Sequence, residues 1–258
     1  MDYSSTESAN REPYIECFCC PPNLVRTMAK VSGWAYSLAE NGIAVNLYGG
    51  NKLATTMLDG SAIQLTQETQ YPWDGVVQIT MQKCKKEPFE LLLRIPEWAE
   101  GSIIQVNGKD AGVKVDAGSF ASVERKWKKG DVLRLDMPMD IKLMEGHPRI
   151  EEVRNQVAIK RGPVVYCIES PDLPDGTAIL DVYLPAGSEL KAEYRPDFLG
   201  GLTTIRTEIK LRKDKNQGMY HELSKPEWET YNTQFIPYYA WSNRGTAEMT
   251  VWIPYMWK

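Results

Sequence analysis

The chain has 258 residues, 43% of them hydrophobic and 25% charged, with a formal net charge of −4. That length suffices for one large domain or two modest ones, each burying a core. The acidic balance offers no basic face to nucleic acid or anionic lipid, and no apolar run reaches the roughly 18–20 residues of a bilayer crossing, so the chain reads as soluble, with neither partner. The opening residues lack the charged, apolar and small-residue succession of a signal peptide. No targeting segment is read within the chain, and its compartment stays open.

In chain order, residues 1–16 are polar and irregular. "CFCCPPN" follows at 17–23, placing three of the five cysteines within four positions. From Pro21, "PPNLVRTMAKVSG" sets Leu24, Met28 and Val31 at helical spacing, and Val25 and Ala29 widen the apolar stripe. Proline suits a first helical turn and Gly33 is the expected stop. This is the one helix the sequence predicts.

The hydrophobic period then switches to two. "GWAYSLAENGIAVNLYGGNKLATTML" predicts a hairpin turning at Asn41–Gly42. Further strands are expected at "AIQLTQET", "GVVQITMQ", "FELLLRIP", "SIIQVNG", "FASVERKW" and "VLRLDMPM", separated by turn signals at 72–75, 107–108 and 129–131. Short strands at roughly 8–12-residue spacing predict a β-sandwich. A second block begins near Ile141: "NQVAIKRGPVVYCIES", "AILDVYL", "LTTIRTEIKLR", "TQFIPYYAWS" and "AEMTVWIPY". "LPDGT" and "RKDKNQGMYHELSKPEWETYN" read as loops.

Several residue groups have a plain structural reading. Cys84 and Cys167, alone in strand-like segments, are expected as buried thiols. The two histidines, His147 and His221, lie far apart in sequence and exclude a histidine-rich metal site. His147, at the junction of the β blocks, is expected at a domain interface. Trp73, Trp98 and Trp127 could line a sugar-binding face, but core packing and turn covering are the plainer expectation. The charges of "KCKKE" and the Glu151–Glu152 pair are expected to be solvated.

The cysteine cluster asks for chemistry. A helix N-terminus with its unpaired N–H groups favours a thiolate, and Cys19 and Cys20 stand at one. A structural zinc site needs four ligands in a closed tetrahedron, which adjacent cysteines and the rest of this chain do not supply. Inert cysteines at a helix start, or a reactive or metal-bound thiol whose partners come from elsewhere, both remain open on the residues alone.

"REPYIECFCCPPNLVRTMA" resembles the cysteine motif of glycoside hydrolase family 127, the β-L-arabinofuranosidases. The resemblance continues in collinear order through "GIAVNLY", "YPWDGVVQITM", "LLLRIPEWA", "KKGDVLRLDMPM", "VAIKRGPVVYCIE", "IPYYAWSNRG" and "AEMTVWIP", over nearly the whole chain. It implies a retaining glycosidase with a zinc-held cysteine nucleophile, which maps onto Cys19, and a zinc ligand, which maps onto Cys20. Cys19 is thus expected both as nucleophile and on the metal, and Cys17 receives no firm role. The family's acid/base and remaining zinc donors lie upstream on an (α/α)6 barrel.

The implied architecture is mainly β: residues 1–36 a helical remnant of that barrel, then two antiparallel, jelly-roll-like β-sandwich modules at 37–140 and 141–258. The expected partners are an arabinose-containing glycan and an amino-terminal barrel, in cis or in trans. Without the barrel, the exposed stub is expected to self-associate and the chain to be inactive. The rivals are a stand-alone carbohydrate-binding or structural β-sandwich protein and a complementing subunit.

Overall fold

The computed structural model of the chain describes residues 18–213 and 219–257. Among these residues the protein is mainly β, with one α-helix, α1 (Cys20–Trp34). The chain divides between Asp140 and Ile141 into two compact units.

The first unit carries β1 (Tyr36–Ala39), β2 (Gly42–Val45), β3 (Asn51–Thr56), β4 (Ala62–Thr69), β5 (Val76–Lys83), β6 (Phe89–Arg94), β7 (Ile103–Val106), β8 (Lys109–Asp110), β9 (Phe120–Arg125) and β10 (Val132–Asp136). They form a sheet of order β1-β2-β6-β9 and another of order β3-β4-β5-β10-β7-β8. Period-two sequence explains the burial. Val77, Ile79 and Met81 of β5 and Phe89, Leu91 and Leu93 of β6 point into one core, which both sheets share. Trp127, 2% exposed, belongs to that core, and its indole N–H donates to the Phe89 carbonyl at 3.0 Å.

Turn chemistry is read correctly in one hairpin and misread in another. Asn107 and Gly108 both take positive φ (52° and 75°) between β7 and β8, as a type I′ turn requires. In the β1–β2 hairpin Ala39 faces Gly42, so the tip is Glu40–Asn41 rather than Asn41–Gly42. Gly42 serves a different need. It pairs with Glu90 across the β2–β6 ladder, where an added Cβ would stand 2.9 Å from the Glu90 backbone oxygen and 2.9 Å from its Cβ. Lys85, expected in solvent, is drawn in: its side chain is 6% exposed, and its ammonium donates to Asn41 Oδ1 (2.8 Å) and Asp59 Oδ2 (2.9 Å). That hydrogen bond holds the Asp59 carboxyl down at about 2.

The second unit carries β11 (Ile141–Glu145), β12 (Gln156–Arg161), β13 (Val164–Glu169), β14 (Val182–Pro185), β15 (Lys191–Arg195), β16 (Leu202–Arg212), β17 (Trp228–Pro237), β18 (Met249–Thr250) and β19 (Trp252–Met256). Pairing runs β12-β19-β14-β16-β17-β13 and returns through the β12–β13 hairpin, so six strands make a ring. All six send side chains into one core, among them Ile159, Ile168, Leu184, Ile209, Phe235 and Ile253. The pairing of the second unit thus closes into a ring of strands, which the sequence reading did not foresee. Local alternation specifies which face of a strand is buried but not whether the last strand returns to the first.

The expectation of purely antiparallel modules is corrected, because β2–β6 and β14–β19 are parallel. Both join strands far apart in sequence, beyond the reach of hairpin signals. Gly33 does not stop α1, which continues to Trp34. The segment 212–232 is not all loop, since β17 begins at Trp228.

A buried ion network ties the second unit together. Arg244 donates through Nε to Glu169 Oε2 (3.0 Å) and through Nη1 to Asp172 Oδ1 (2.8 Å), while the Ser242 N–H donates to Glu169 Oε1 (2.7 Å). Burial works against the Arg244 charge, yet the bonds to Asp172 and Glu169 outweigh it and raise its pKa. Glu169 is fully buried, so its partners are what make its charge tolerable there.

The close approach at Gly42 yields a test. Gly42→Ala is expected to lower stability in urea by about 1–3 kcal/mol through forced displacement at the β2–β6 ladder. Gly49→Ala, which meets nothing within 4 Å, is the comparison and should stay near the parent. Equal behaviour of the two variants would contradict the close-packing account.

Candidate functional site

Helix α1 forms because Pro21 and Pro22 pre-set its first turn and a stripe of Leu24, Val25, Met28 and Val31 repeats at helical spacing. None of its side chains is buried, and Leu24, Val25, Met28 and Trp34 are exposed large apolar groups. Its far end is tied to the first unit. The Ala35 carbonyl accepts the N–H groups of Asn46 (2.9 Å) and Leu47 (3.3 Å), and Asn46 Nδ2 donates to the Trp34 carbonyl (3.2 Å).

The thiols stand at the opposite end. Cys19 occupies the N-cap with helical backbone angles and makes no side-chain cap bond, while Cys20 is the first helical residue. The two sulfurs are 3.4 Å apart and both residues are exposed. Pro21 and Pro22 carry no N–H, so this terminus presents fewer donors to an anion than an ordinary helix start. The sequence-based argument from the helix terminus is weakened to that extent.

Zinc chemistry can be tested against this pair. Thiolates about 2.3 Å from a tetrahedral zinc lie about 3.8 Å from each other, so a small adjustment from 3.4 Å places both sulfurs on one metal. They supply two donors of four. Among the described residues no group of three His, Cys, Asp or Glu gathers to complete such a site. The pair fits one edge of a zinc tetrahedron and is not by itself a zinc site.

The other candidate residues stand in surroundings of their own. Cys17 and Glu16 fall outside the described residues. Cys167 is buried, and burial, followed by the charges of Glu169 and Asp172, pushes its thiol up to about 12. Cys84 is half-buried beside the core of the first unit, and burial and then Asp131 raise its pKa. His147 and His221 are exposed, and His147 Nδ1 accepts the Arg149 N–H at 3.2 Å. Glu151 and Glu152 are exposed, as expected of solvated charge.

The tryptophans do not form one sugar-binding face. Trp127 is in the core, Trp98 stacks on Tyr71 (centroids 6.4 Å), and Trp73 is exposed. Sequence reading missed the Glu169–Asp172–Arg244 network, although Arg244 lies in the quoted "IPYYAWSNRG" stretch. The partners are more than seventy residues apart, and nothing local pairs them.

The fold matches part of solved glycoside hydrolases. A solved glycoside hydrolase is 40% identical with a TM-score of 0.90, covering 99% of this chain and 42% of that one. The chain belongs to glycoside hydrolase family 127: residues 42–139 match its β-L-arabinofuranosidase middle domain and residues 141–254 its C-terminal domain. A non-reducing end β-L-arabinofuranosidase of Bifidobacterium longum subsp. longum is 29% identical, with 94% of this chain and 38% of that protein covered. The crystal structure of Ara127N-Se, a GH127 β-L-arabinofuranosidase from Geobacillus stearothermophilus T6, is 34% identical with a TM-score of 0.85, covering 96% of this chain and 39% of that one. The chain thus spans about two-fifths of the length of these relatives.

Exposure separates the thiols experimentally. Alkylation of the native, reduced chain with iodoacetamide at about pH 8 is expected to modify Cys19 and Cys20 and to spare Cys167, whose thiolate is suppressed. Cys167 should react once urea unfolds the chain. Peptide mass spectrometry reads both outcomes, and Cys167 reacting natively as fast as Cys20 would contradict the assignment.

Proposed function

We propose that this chain is the carboxy-terminal segment of a retaining glycoside hydrolase acting on β-L-arabinofuranosides, with Cys19 as nucleophile and Cys19 and Cys20 as zinc ligands. The observation that carries the reading is the thiol pair itself: two exposed sulfurs 3.4 Å apart, on a helix whose apolar face has no cover among the described residues. In this reading α1 is the last helix of an (α/α)6 barrel. The two β units buttress that barrel, which lies upstream in cis or is supplied in trans.

The chemistry proceeds in two displacements. Cys19 Sγ attacks the anomeric carbon of an arabinose-containing glycan as the leaving oxygen takes a proton from a general acid. Water then attacks the thioglycosyl carbon, gives its proton to the same group, and the thiolate departs. Zinc, when bound, would keep the Cys19 sulfur anionic at neutral pH. Cys20 would hold the second sulfur corner of the metal and so fix where Cys19 points. The acid/base and the remaining donors are assigned to the upstream barrel.

The chain alone is then a poor catalyst, because acid–base assistance is worth about 10²–10⁴-fold and the metal site is incomplete. The stripe that the barrel would cover is also a route to self-association.

The test is turnover of a chromogenic β-L-arabinofuranoside with reductant and stoichiometric zinc. The folded chain alone is expected to show none. A longer protein that includes the upstream barrel should turn over, and its Cys19→Ser variant should lose about 10³-fold or more. Clear turnover by the chain alone, or a longer protein indifferent to Cys19→Ser, would overturn the proposal.

A further inference from the structure

Two clefts of about 520 and about 540 Å³ open on the second unit, both lined by Arg206, Thr207 and Asn232. Sharing those three residues, they adjoin along β16 and β17 as two lobes of a polar groove. Each lobe lies within the roughly 300–1,000 Å³ of ordinary ligand sites. Asp172, Arg195, Tyr231 and Gln234 line the first lobe, and Ser188, Lys191 and Glu208 line the second. We infer that this groove binds a neutral oligosaccharide.

The first reason is that the polar lining is held from behind. Gln234 Nε2 donates to Asp172 Oδ1 (2.9 Å), and Arg195 Nη1 donates to Gln234 Oε1 (2.8 Å). Asp172 is fixed in turn by Arg244, which is anchored on the fully buried Glu169. The guanidiniums of Arg195 and Arg244 lie over the Phe198 ring at 4.7 and 5.4 Å. These bonds fix the Gln234 amide and the Arg195 guanidinium beside the first lobe, so little side-chain freedom is left to lose on binding.

The second reason is charge. Among the lining side chains, the cations Lys191, Arg195 and Arg206 stand against the carboxylates Asp172, Glu189 and Glu208. Arg206 pairs with Glu193 at 3.2 Å and Lys191 with Glu189 at 2.9 Å. The two signs balance across the two clefts, so they offer a phosphate or a uronate no net attraction. Fixed amide, carboxylate and guanidinium groups suit a ligand whose many hydroxyls both donate and accept, with the Tyr231 ring as an apolar wall. Two adjoining lobes of this size leave room for more than one sugar unit. This site lies wholly in the second unit and does not rest on Cys19.

The test is a titration of the chain followed by amide NMR, with an arabinan-derived trisaccharide and cellotriose as neutral probes. Trigalacturonate and inorganic phosphate are the anionic probes. At least one neutral trisaccharide should shift β16 and β17 amides saturably and more tightly than either anion. Arg206→Ala and Asn232→Ala, both at exposed positions, should each weaken that binding about five- to tenfold while keeping the parent melting temperature. Cys19→Ser should bind as the parent does. Absence of saturable shifts with both neutral probes, anions binding equally well, or variants without effect would each overturn the inference.

Discussion

The proposed chemistry of the thiol pair depends on a helix with no buried side chain to hold it in place. Isolated helices shorter than about 12–15 residues are marginal in water, and α1 has 15 residues with no buried side chain. It is clamped at one end, where the Ala35 and Trp34 carbonyls are taken up by Asn46 and Leu47. At 1.5 Å per residue the thiols stand about 22 Å from that clamp. The sulfurs are therefore placed by whatever covers the stripe of Leu24, Val25, Met28 and Val31, and only weakly by the β unit behind them.

The β units face no such difficulty. The first closes two sheets on a shared core, and Trp127 joins its layers by burying its ring and satisfying the Phe89 carbonyl. The second closes six strands in a ring and spends its buried charges on Glu169, Asp172 and Arg244. That network also stiffens one lobe of the polar groove. In this account the first unit carries the loosely held helix, and the second carries a set of fixed hydrogen-bonding groups.

Much of the strand pattern was legible in the residues. "AIQLTQET" and "LTTIRTEIKLR" coincide with β4 and β16, because each carries alternating apolar residues on one buried face. Asn107–Gly108 was legible because few other residue pairs take positive φ twice in succession. β11 and β15 were missed, and their burial explains it: most of their residues are exposed, so no period-two signal exists. Ring closure, the two parallel ladders and the Arg244 network all join distant segments, which local periodicity does not encode. The thiol pair was legible from "CCPPN", down to the helix that begins there. No third metal donor beside it was legible, and among the described residues no group of three gathers.

The proposal implies that α1 would take its order from an upstream domain. Hydrogen exchange on α1 tests it most directly, comparing this chain with a longer protein that includes the barrel. The account predicts that α1 amides in the chain alone exchange nearly as fast as in an unstructured peptide, and are strongly protected in the longer protein, while β5, β6 and β16 are protected in both. Strong protection of α1 in the chain alone would contradict it, because the helix would then be held by something other than the barrel.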